Sequence, residues 1–158
     1  AAGGRIPKDL RLVESREDAS RDSDILVAAT TSKNPVVSGA WLRPGTFVAS
    51  VGTYENTMRE VDSETIKRSS KLVIDSRADC LHNAGDFVIP IGEGVIRRDQ
   101  IAEIAEVVGG ARPPRQSDDE ITYYKSIGVP IQDLVTAQHM ARLAAQRGIG
   151  TEIEIGGD

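Results

Sequence analysis

The chain of 158 residues has a hydrophobic fraction of 39% and a formal net charge of −5. This size and composition suffice for one domain with its own core, and the acidic balance argues against a nucleic-acid groove or an anionic membrane surface. Cys80 is the single cysteine, which excludes an intrachain disulfide and a thiolate zinc site and favours a reducing, cytoplasmic setting. We therefore expect no metal, no nucleic-acid partner and no membrane partner.

The first predicted elements are short and alternate between strand and helix. Residues 10–14 form a strand candidate, and Ser15 is placed to cap a helix that runs to about Asp22. Residues 24–29 form an apolar strand without polar alternation, which is typical of a parallel strand covered on both faces. The next elements, in chain order, are a strand at residues 46–51, a helix from Asp62 or Ser63 to about Ser69, a strand at residues 71–75 and a helix at residues 76–84 that stops at Gly85.

The later elements are less regular. Residues 87–91 are apolar and extended, and Pro90 indicates an edge strand or a loop because it removes a ladder hydrogen bond. A helix with one apolar face is predicted for residues 99–108. Residues 120–125 have a β-rich composition, and residues 131–147 form the longest helix. Alternating strands and helices favour a parallel α/β sheet.

Small and hydroxyl residues follow three of the predicted strands. Open α/β sheets form their ligand crevice at the carboxyl ends of strands, although such hydroxyls also serve to satisfy nearby backbone groups. The sequence offers no Gly-rich phosphate loop, because Arg97 stands where the third glycine of a fingerprint starting at Gly92 would be. The residues concerned are Thr30, Thr31 and Ser32 after the first strand, Ser50, Val51 and Gly52 at the end of the second, and Ser126, Ile127 and Gly128 after the β-rich segment.

These loops, in this order, resemble the ornithine cyclodeaminase/mu-crystallin family. The resemblance runs from about Asp24 to Arg147 and rests on an ordered set of segments: 24–32, 41–46, 51–52, 59–62, 73–77, 117–122, 125–128 and 131–133. It implies an α/β fold, a partial Rossmann-like parallel sheet made of the later strands and followed by C-terminal helices. Residues 1–110 would be the later half of an NAD(P)-binding Rossmann domain. Residues 111–158 would be a connector, a β-like segment and a long helix that packs toward an N-terminal dimerisation and substrate domain outside this chain.

The resemblance also implies chemistry, since the family contains NAD(P)-dependent cyclodeaminases, alanine dehydrogenase and ketimine or cyclic-imine reductases. Carried over by position, the three loops would contact NAD or NADP. Tyr54 stands where the cyclodeaminases have an aspartate, and Met58 stands where many members have a lysine. Both differences favour a ketimine reductase, with Tyr54 as the catalytic candidate or, alternatively, as a ring that packs against its neighbours or lines the substrate.

The resemblance further implies a small amino-acid or imine substrate and a homodimer at full length. Two alternatives stay open, a cyclodeaminase that releases ammonia and a non-catalytic, crystallin-like protein that binds a nucleotide or another ligand. The chain resembles only the later half of the family's proteins, so we expect it to be part of a longer protein and inactive by itself. If residues 24–29 are the fourth strand of a 3-2-1-4-5-6 sheet, they form an exposed edge in this chain, and we expect the chain to fold poorly alone.

Overall fold

The computed structural model describes residues 9–151 and residue 153. A first compact unit ends at Ile127 and a second begins at Gly128. The first unit is built on a five-stranded sheet in which every strand pair is parallel, in the order β1-β2-β5-β3-β4, so the expected parallel α/β architecture is confirmed. The strands are β1 (Ile25–Ala28), β2 (Phe47–Ser50), β3 (Lys71–Ile74), β4 (Ile101–Glu103) and β5 (Thr122–Lys125).

Two of the helices begin at side-chain caps that the sequence predicts. Ser15 accepts a hydrogen bond from the amide of Asp18, and Asp62 accepts one from the amide of Thr65, which satisfies a donor that the first turn would otherwise leave free. The helices are α1 (Arg16–Arg21), α2 (Ser63–Arg68), α3 (Arg77–Asn83, capped by Ser76), α4 (Gly85–Gly92), α5 (Ile104–Val108) and α6 (Pro130–Arg147), with short 3-10 turns at Gly39–Trp41 and Arg98–Gln100.

The last of these five strands lies at the centre of the sheet. Thr122 in β5 is in register with Phe47 of β2 on one side and with Lys71 of β3 on the other. The first compact unit therefore includes β5 and continues to Ile127. The strand alternates in burial, so that the side chains of Tyr123 and Lys125 are fully buried.

Three local predictions are wrong. Residues 10–14 form no strand, and residues 87–91 lie inside helix α4 with Pro90 in its second turn. This helix is held by tertiary packing, because the Phe87 ring is fully buried and meets Tyr123 edge to face with centroids 5.4 Å apart. The helix predicted for residues 99–108 is split: Ile101–Glu103 pairs with β3 as an edge strand, and α5 begins only at Ile104.

Strand β1 ends the sheet on the side away from β4, and it is not covered on both faces. The side chains of Ile25 and Val27 are 67% and 60% exposed, which contradicts the prediction of a strand covered on both faces and agrees with the prediction of an exposed edge. The buried core of the unit lies mainly around Val48, Ile66, Leu72, Ile74, Phe87, Ile101 and Tyr123. Among the described residues, no helix has both the length and the apolar character that crossing a membrane requires.

Candidate functional site

The loops that follow β1, β2 and β5 lie side by side, because the carboxyl ends of parallel strands share one edge of the sheet. The amide of Val51 donates to the carbonyl oxygen of Ala28 at 2.9 Å, and the amide of Ser126 donates to the carbonyl oxygen of Ser50 at 3.1 Å. These bonds extend the strand pairing by one residue and join each loop to its neighbour. This edge is where open α/β sheets hold their ligands.

A fully buried ionic network lies beneath these loops and is centred on Lys125. The Lys125 ammonium contacts Asp86 Oδ2 at 2.9 Å and Glu60 Oε2 at 3.9 Å, and all three side chains have no exposed surface. The same Nζ donates to Thr53 Oγ1 at 2.9 Å and to Ser50 Oγ at 3.1 Å. Two carboxylates thus share one ammonium, and hydroxyl groups supply the remaining bonds that buried charges require.

Glu60 connects this network to two of the loops. Its Oε1 atom accepts the amide of Thr30, while its Oε2 atom accepts the amide of Gly52 at 2.7 Å and the hydroxyl of Ser50 at 2.9 Å. Burial by itself raises the pKa of Glu60, but the hydrogen bonds from Thr30, Gly52 and Ser50 outweigh it and hold the pKa below its ordinary value. The ionised carboxylate is therefore the form that joins the loops.

Asp86, at the start of α4, completes the network from the opposite side. Its Oδ1 atom accepts the amides of Glu60 and Val61 at 2.8 and 3.0 Å, and its Oδ2 atom accepts the hydroxyl of Thr53 at 3.0 Å. The buried hydroxyl of Tyr123 has no hydrogen-bond partner among the residues that the structure describes. Burial, reinforced by the negative charge of Asp86, raises the pKa of Tyr123 well above its ordinary value.

Gly52 is required by the close approach of the first two loops. A Cβ atom at this position would overlap the backbone N and O atoms of Thr30 and would lie 2.6 Å from Glu60 Oε1. The space beside Gly52 is therefore filled by protein. A glycine here is explained by the packing of β1 against β2, without a ligand ring above it.

A second carboxylate, Asp75, organises the loop after β5. Its Oδ2 atom accepts the hydroxyl of Ser126 at 2.7 Å and the amide of Ile127 at 3.0 Å, and its Oδ1 atom accepts the amide of Ser76 at 2.7 Å and the thiol of Cys80 at 3.0 Å. Burial, followed by the bond to Asp75, raises the pKa of the Cys80 thiol to about 12. Cys80 is therefore a protonated donor at neutral pH.

The predicted cofactor and catalytic residues differ in how exposed their side chains are. Ser50 is fully buried, so its hydroxyl lies within the ionic network. Val51 is 45% exposed, Tyr54 is 62% exposed, and Thr31 is exposed as well. Ser32 is half-buried, and its hydroxyl donates to the carbonyl of Asn34 at 2.7 Å.

The remaining predicted residue, Gly128, begins the second unit. It has a φ of +81° and is exposed. Helix α6 of that unit ends at Arg147 and is capped by Gly148, which has left-handed backbone angles. Along α6 the side chains of Ile131, Leu134 and Met140 are more than half exposed.

Glu60, Asp86 and Lys125 form the ionic network, and the loop pattern does not indicate any of them. Lys125 carries one usable signal, because it follows Tyr123 by two residues in a strand and so faces the same side as a buried ring. Asp86 carries none, since its segment is apolar and its neighbours in space come from other parts of the chain.

The residues at this edge fit one end of a dinucleotide. Small side chains, hydroxyl groups and exposed apolar surface suit a nicotinamide and its ribose. The amides of Thr30, Gly52 and Ile127 are already bonded to carboxylates, so they are not available to hold a pyrophosphate. Within residues 9–151 and 153, no group of three or more His, Cys, Asp or Glu side chains is arranged to hold a metal ion.

The chain is similar to known proteins in both sequence and fold. The chain is 34% identical over 151 residues to the Δ1-pyrroline-2-carboxylate reductase of Bacillus cereus, an alignment that covers 95% of this chain and 46% of the relative. The structure of Thermococcus litoralis Δ1-pyrroline-2-carboxylate reductase in complex with NADH and L-proline matches with a TM-score of 0.81 and 45% identity, over 89% of this chain and 44% of that one.

An archaeal alanine dehydrogenase dimer with bound NAD matches with a TM-score of 0.77 and 33% identity, over 92% of this chain and 45% of that one. The chain thus spans less than half the length of each of these relatives. These similarities confirm the expected Rossmann-like sheet. The family model for the ornithine cyclodeaminase/mu-crystallin family matches residues 5–146. The chain belongs to the ornithine cyclodeaminase/mu-crystallin family.

Proposed function

We propose that the chain is part of an NAD(P)-dependent oxidoreductase that reduces a cyclic imine of an amino acid, in the manner of a ketimine reductase. The observation that carries this proposal is the row of loops after β1, β2 and β5, which Glu60 and Lys125 hold at the carboxyl edge of the sheet. The relatives include a pyrroline-2-carboxylate reductase and an alanine dehydrogenase. Their names support a substrate whose nitrogen is bonded to the carbon next to a carboxylate.

In this proposal the three loops form the nicotinamide wall of the cofactor site. The exposed side chains of Thr31 and Val51 and the half-buried Ser32 would contact the cofactor, whereas Ser50 would support the wall from behind. The NADH and NAD bound in the related structures support this choice of cofactor. The proposal extends to NADP, since none of these loop residues distinguishes the two nucleotides.

The reaction requires a hydride and a proton. When bound, the reduced nicotinamide supplies a hydride to the imine carbon, and the imine nitrogen takes up a proton, so that C=N becomes CH–NH. Tyr54 is 62% exposed in the loop after β2. We place its phenol beside the substrate, where the hydroxyl either relays the proton or lines the site.

The test is turnover by the full-length protein. With NADH or NADPH and Δ1-pyrroline-2-carboxylate, we expect L-proline and oxidised cofactor to form in equal amounts. Ammonia released from ornithine with catalytic NAD would instead indicate a cyclodeaminase. Cofactor binding without either turnover would support a crystallin-like binding protein. The variant Tyr54→Phe separates the two roles of the phenol, because only loss of a proton relay lowers kcat while leaving the KM of the imine unchanged.

We also propose how the chain is used in the whole protein. Residues 1–110 would contribute to the cofactor domain, and residues 111–158 would connect it, through the exposed apolar side chains of α6, to a dimerisation and substrate domain. The alanine dehydrogenase dimer supports a homodimer. The unpaired thiol of Cys80 supports a reducing, cytoplasmic compartment. The isolated chain would be inactive. Turnover measurements on the isolated chain and on the full-length protein test this point, and size-exclusion chromatography of the full-length protein tests the homodimer.

A further inference from the structure

We propose that Glu60 is a positioning residue of the nicotinamide wall, whose buried carboxylate fixes the spacing between the loops after β1 and β2. This inference rests on the proposed function and adds a residue to it. Glu60 has no exposed surface, so it does not touch a ligand in the crevice. Any influence on the cofactor must pass through the groups that it holds.

The two oxygens of Glu60 hold different loops. Oε1 accepts the amide of Thr30, which follows β1, and Oε2 accepts the amide of Gly52, which follows β2. The absence of a side chain at Gly52 brings these two backbones into direct contact. Together with the bond from the Val51 amide to the Ala28 carbonyl oxygen, one carboxylate therefore holds the spacing of the loops and the direction of two peptide planes. The groups facing the crevice are fixed with them.

The carboxylate is itself fixed on every side. The amide of Glu60 donates to Asp86 Oδ1 at 2.8 Å, the Ser50 hydroxyl donates to Oε2 at 2.9 Å, and Lys125 Nζ lies 3.9 Å from Oε2. Charged hydrogen bonds in a dry environment are short and directional. Residues in and next to the sheet thus hold Glu60 in place, and Glu60 in turn holds the two loops of the wall.

The variant Glu60→Gln tests this role with little change in volume. A glutamine has one acceptor oxygen and one NH₂ group, so its NH₂ would face the amide of Thr30 or of Gly52 and one loop would lose its anchor. In the full-length protein we expect binding of NADH or NADPH, measured by the fluorescence of the reduced nicotinamide, to weaken about tenfold. The KM of the imine should change less than about twofold, since only cofactor contacts move.

A matched control is Asp62→Asn. Asp62 also accepts two backbone amides, from Gly39 at 2.9 Å and Thr65 at 2.8 Å, but it joins α2 to the Gly39–Trp41 turn and not the loops of the wall. This variant should lower the thermal midpoint while leaving the dissociation constant of the reduced cofactor unchanged. The comparison separates positioning from a general loss of stability.

A milder variant covers the case in which Glu60→Gln does not fold. Ser50→Ala removes one hydroxyl, which donates to Glu60 Oε2 and accepts from Lys125 Nζ, and leaves the bonds from Thr30 and Gly52 to Glu60 in place. We expect about threefold weaker cofactor binding. Wild-type affinity in the folded variants, or equal weakening by Asp62→Asn, would overturn the positioning role. A wild-type protein that binds neither reduced nucleotide would refute the proposed function and this inference together, whereas tight wild-type binding with unaffected variants refutes only the inference.

Discussion

Replacement of Lys125 by methionine should destabilise the first unit far more than replacement of an exposed lysine. Lys125 is fully buried and has three polar contacts within 3.1 Å, to Asp86, Thr53 and Ser50. Methionine fills similar space but leaves the carboxylates of Glu60 and Asp86 without a cation. Removing one partner of a buried ion pair costs about 3–5 kcal/mol, and we expect a loss of this size in the free energy of unfolding.

The geometry of the two carboxylates supports the upper part of that range. Ser50 Oγ lies 2.9 Å from Glu60 Oε2 and 3.5 Å from Asp86 Oδ2, so both oxygens surround one hydroxyl. Without the ammonium their charges repel each other in a dry site, and one carboxyl must take up a proton or move.

Urea unfolding of the full-length protein, followed by circular dichroism, measures this loss. Lys71→Met is the matched control, because Lys71 is 4.0 Å from Glu120 and both side chains are partly exposed; its cost should stay below about 1 kcal/mol. The loss from Asp86→Asn should be smaller in the Lys125→Met background than in the wild type, by about 1–3 kcal/mol. Equal losses from Lys125→Met and Lys71→Met would refute the reasoning.

Three further outcomes are expected. Gly52→Ala should cost about 1–3 kcal/mol of stability, because the added Cβ overlaps the backbone of Thr30. The control Gly92→Ala should cost nothing, because its Cβ meets no atom. The midpoints of urea unfolding compare the two variants. Cys80, whose thiol pKa is raised to about 12 by burial and a carboxylate neighbour, should react with a thiol reagent at neutral pH only after unfolding. Burial by itself would raise the pKa of the Asp62 carboxyl, but its hydrogen bonds outweigh this effect and hold the pKa below the ordinary 3.8. The wild type should therefore have its full stability advantage over Asp62→Asn at neutral pH. This advantage, measured by urea unfolding, should shrink below about pH 4 as the carboxyl takes up a proton.

The elements that the sequence predicts correctly are those with local signals. Ser15 and Asp62 cap their helices through bonds to residues three positions later, and β1, β2 and β3 are apolar runs that end in small or polar residues. These signals operate within a few residues. The loops of the candidate site follow from the same logic, because strand ends are visible in the sequence.

The incorrect predictions concern segments whose structure is decided by distant neighbours. Residues 87–91 look extended because of Pro90, yet the burial of Phe87 against Tyr123 favours a helix. Ile101–Glu103 has helical periodicity, but pairing with β3 makes it a strand. The ionic network is hidden for the same reason, since its charged groups meet only after the sheet has formed.

The position of β5 links the order of synthesis to the burial of charge. Strands β2 and β3 leave the ribosome before β5, and the edges on which β5 lies stay unpaired until Thr122–Lys125 is made. The ammonium of Lys125 arrives with that strand, 75 residues after Ser50, to which it donates. Until then Glu60 and Asp86 lack the ammonium that they share in the folded unit. The strand that completes the sheet therefore also brings the cation that pairs with its buried carboxylates. Contacts so distant in sequence favour slow, cooperative folding of this unit.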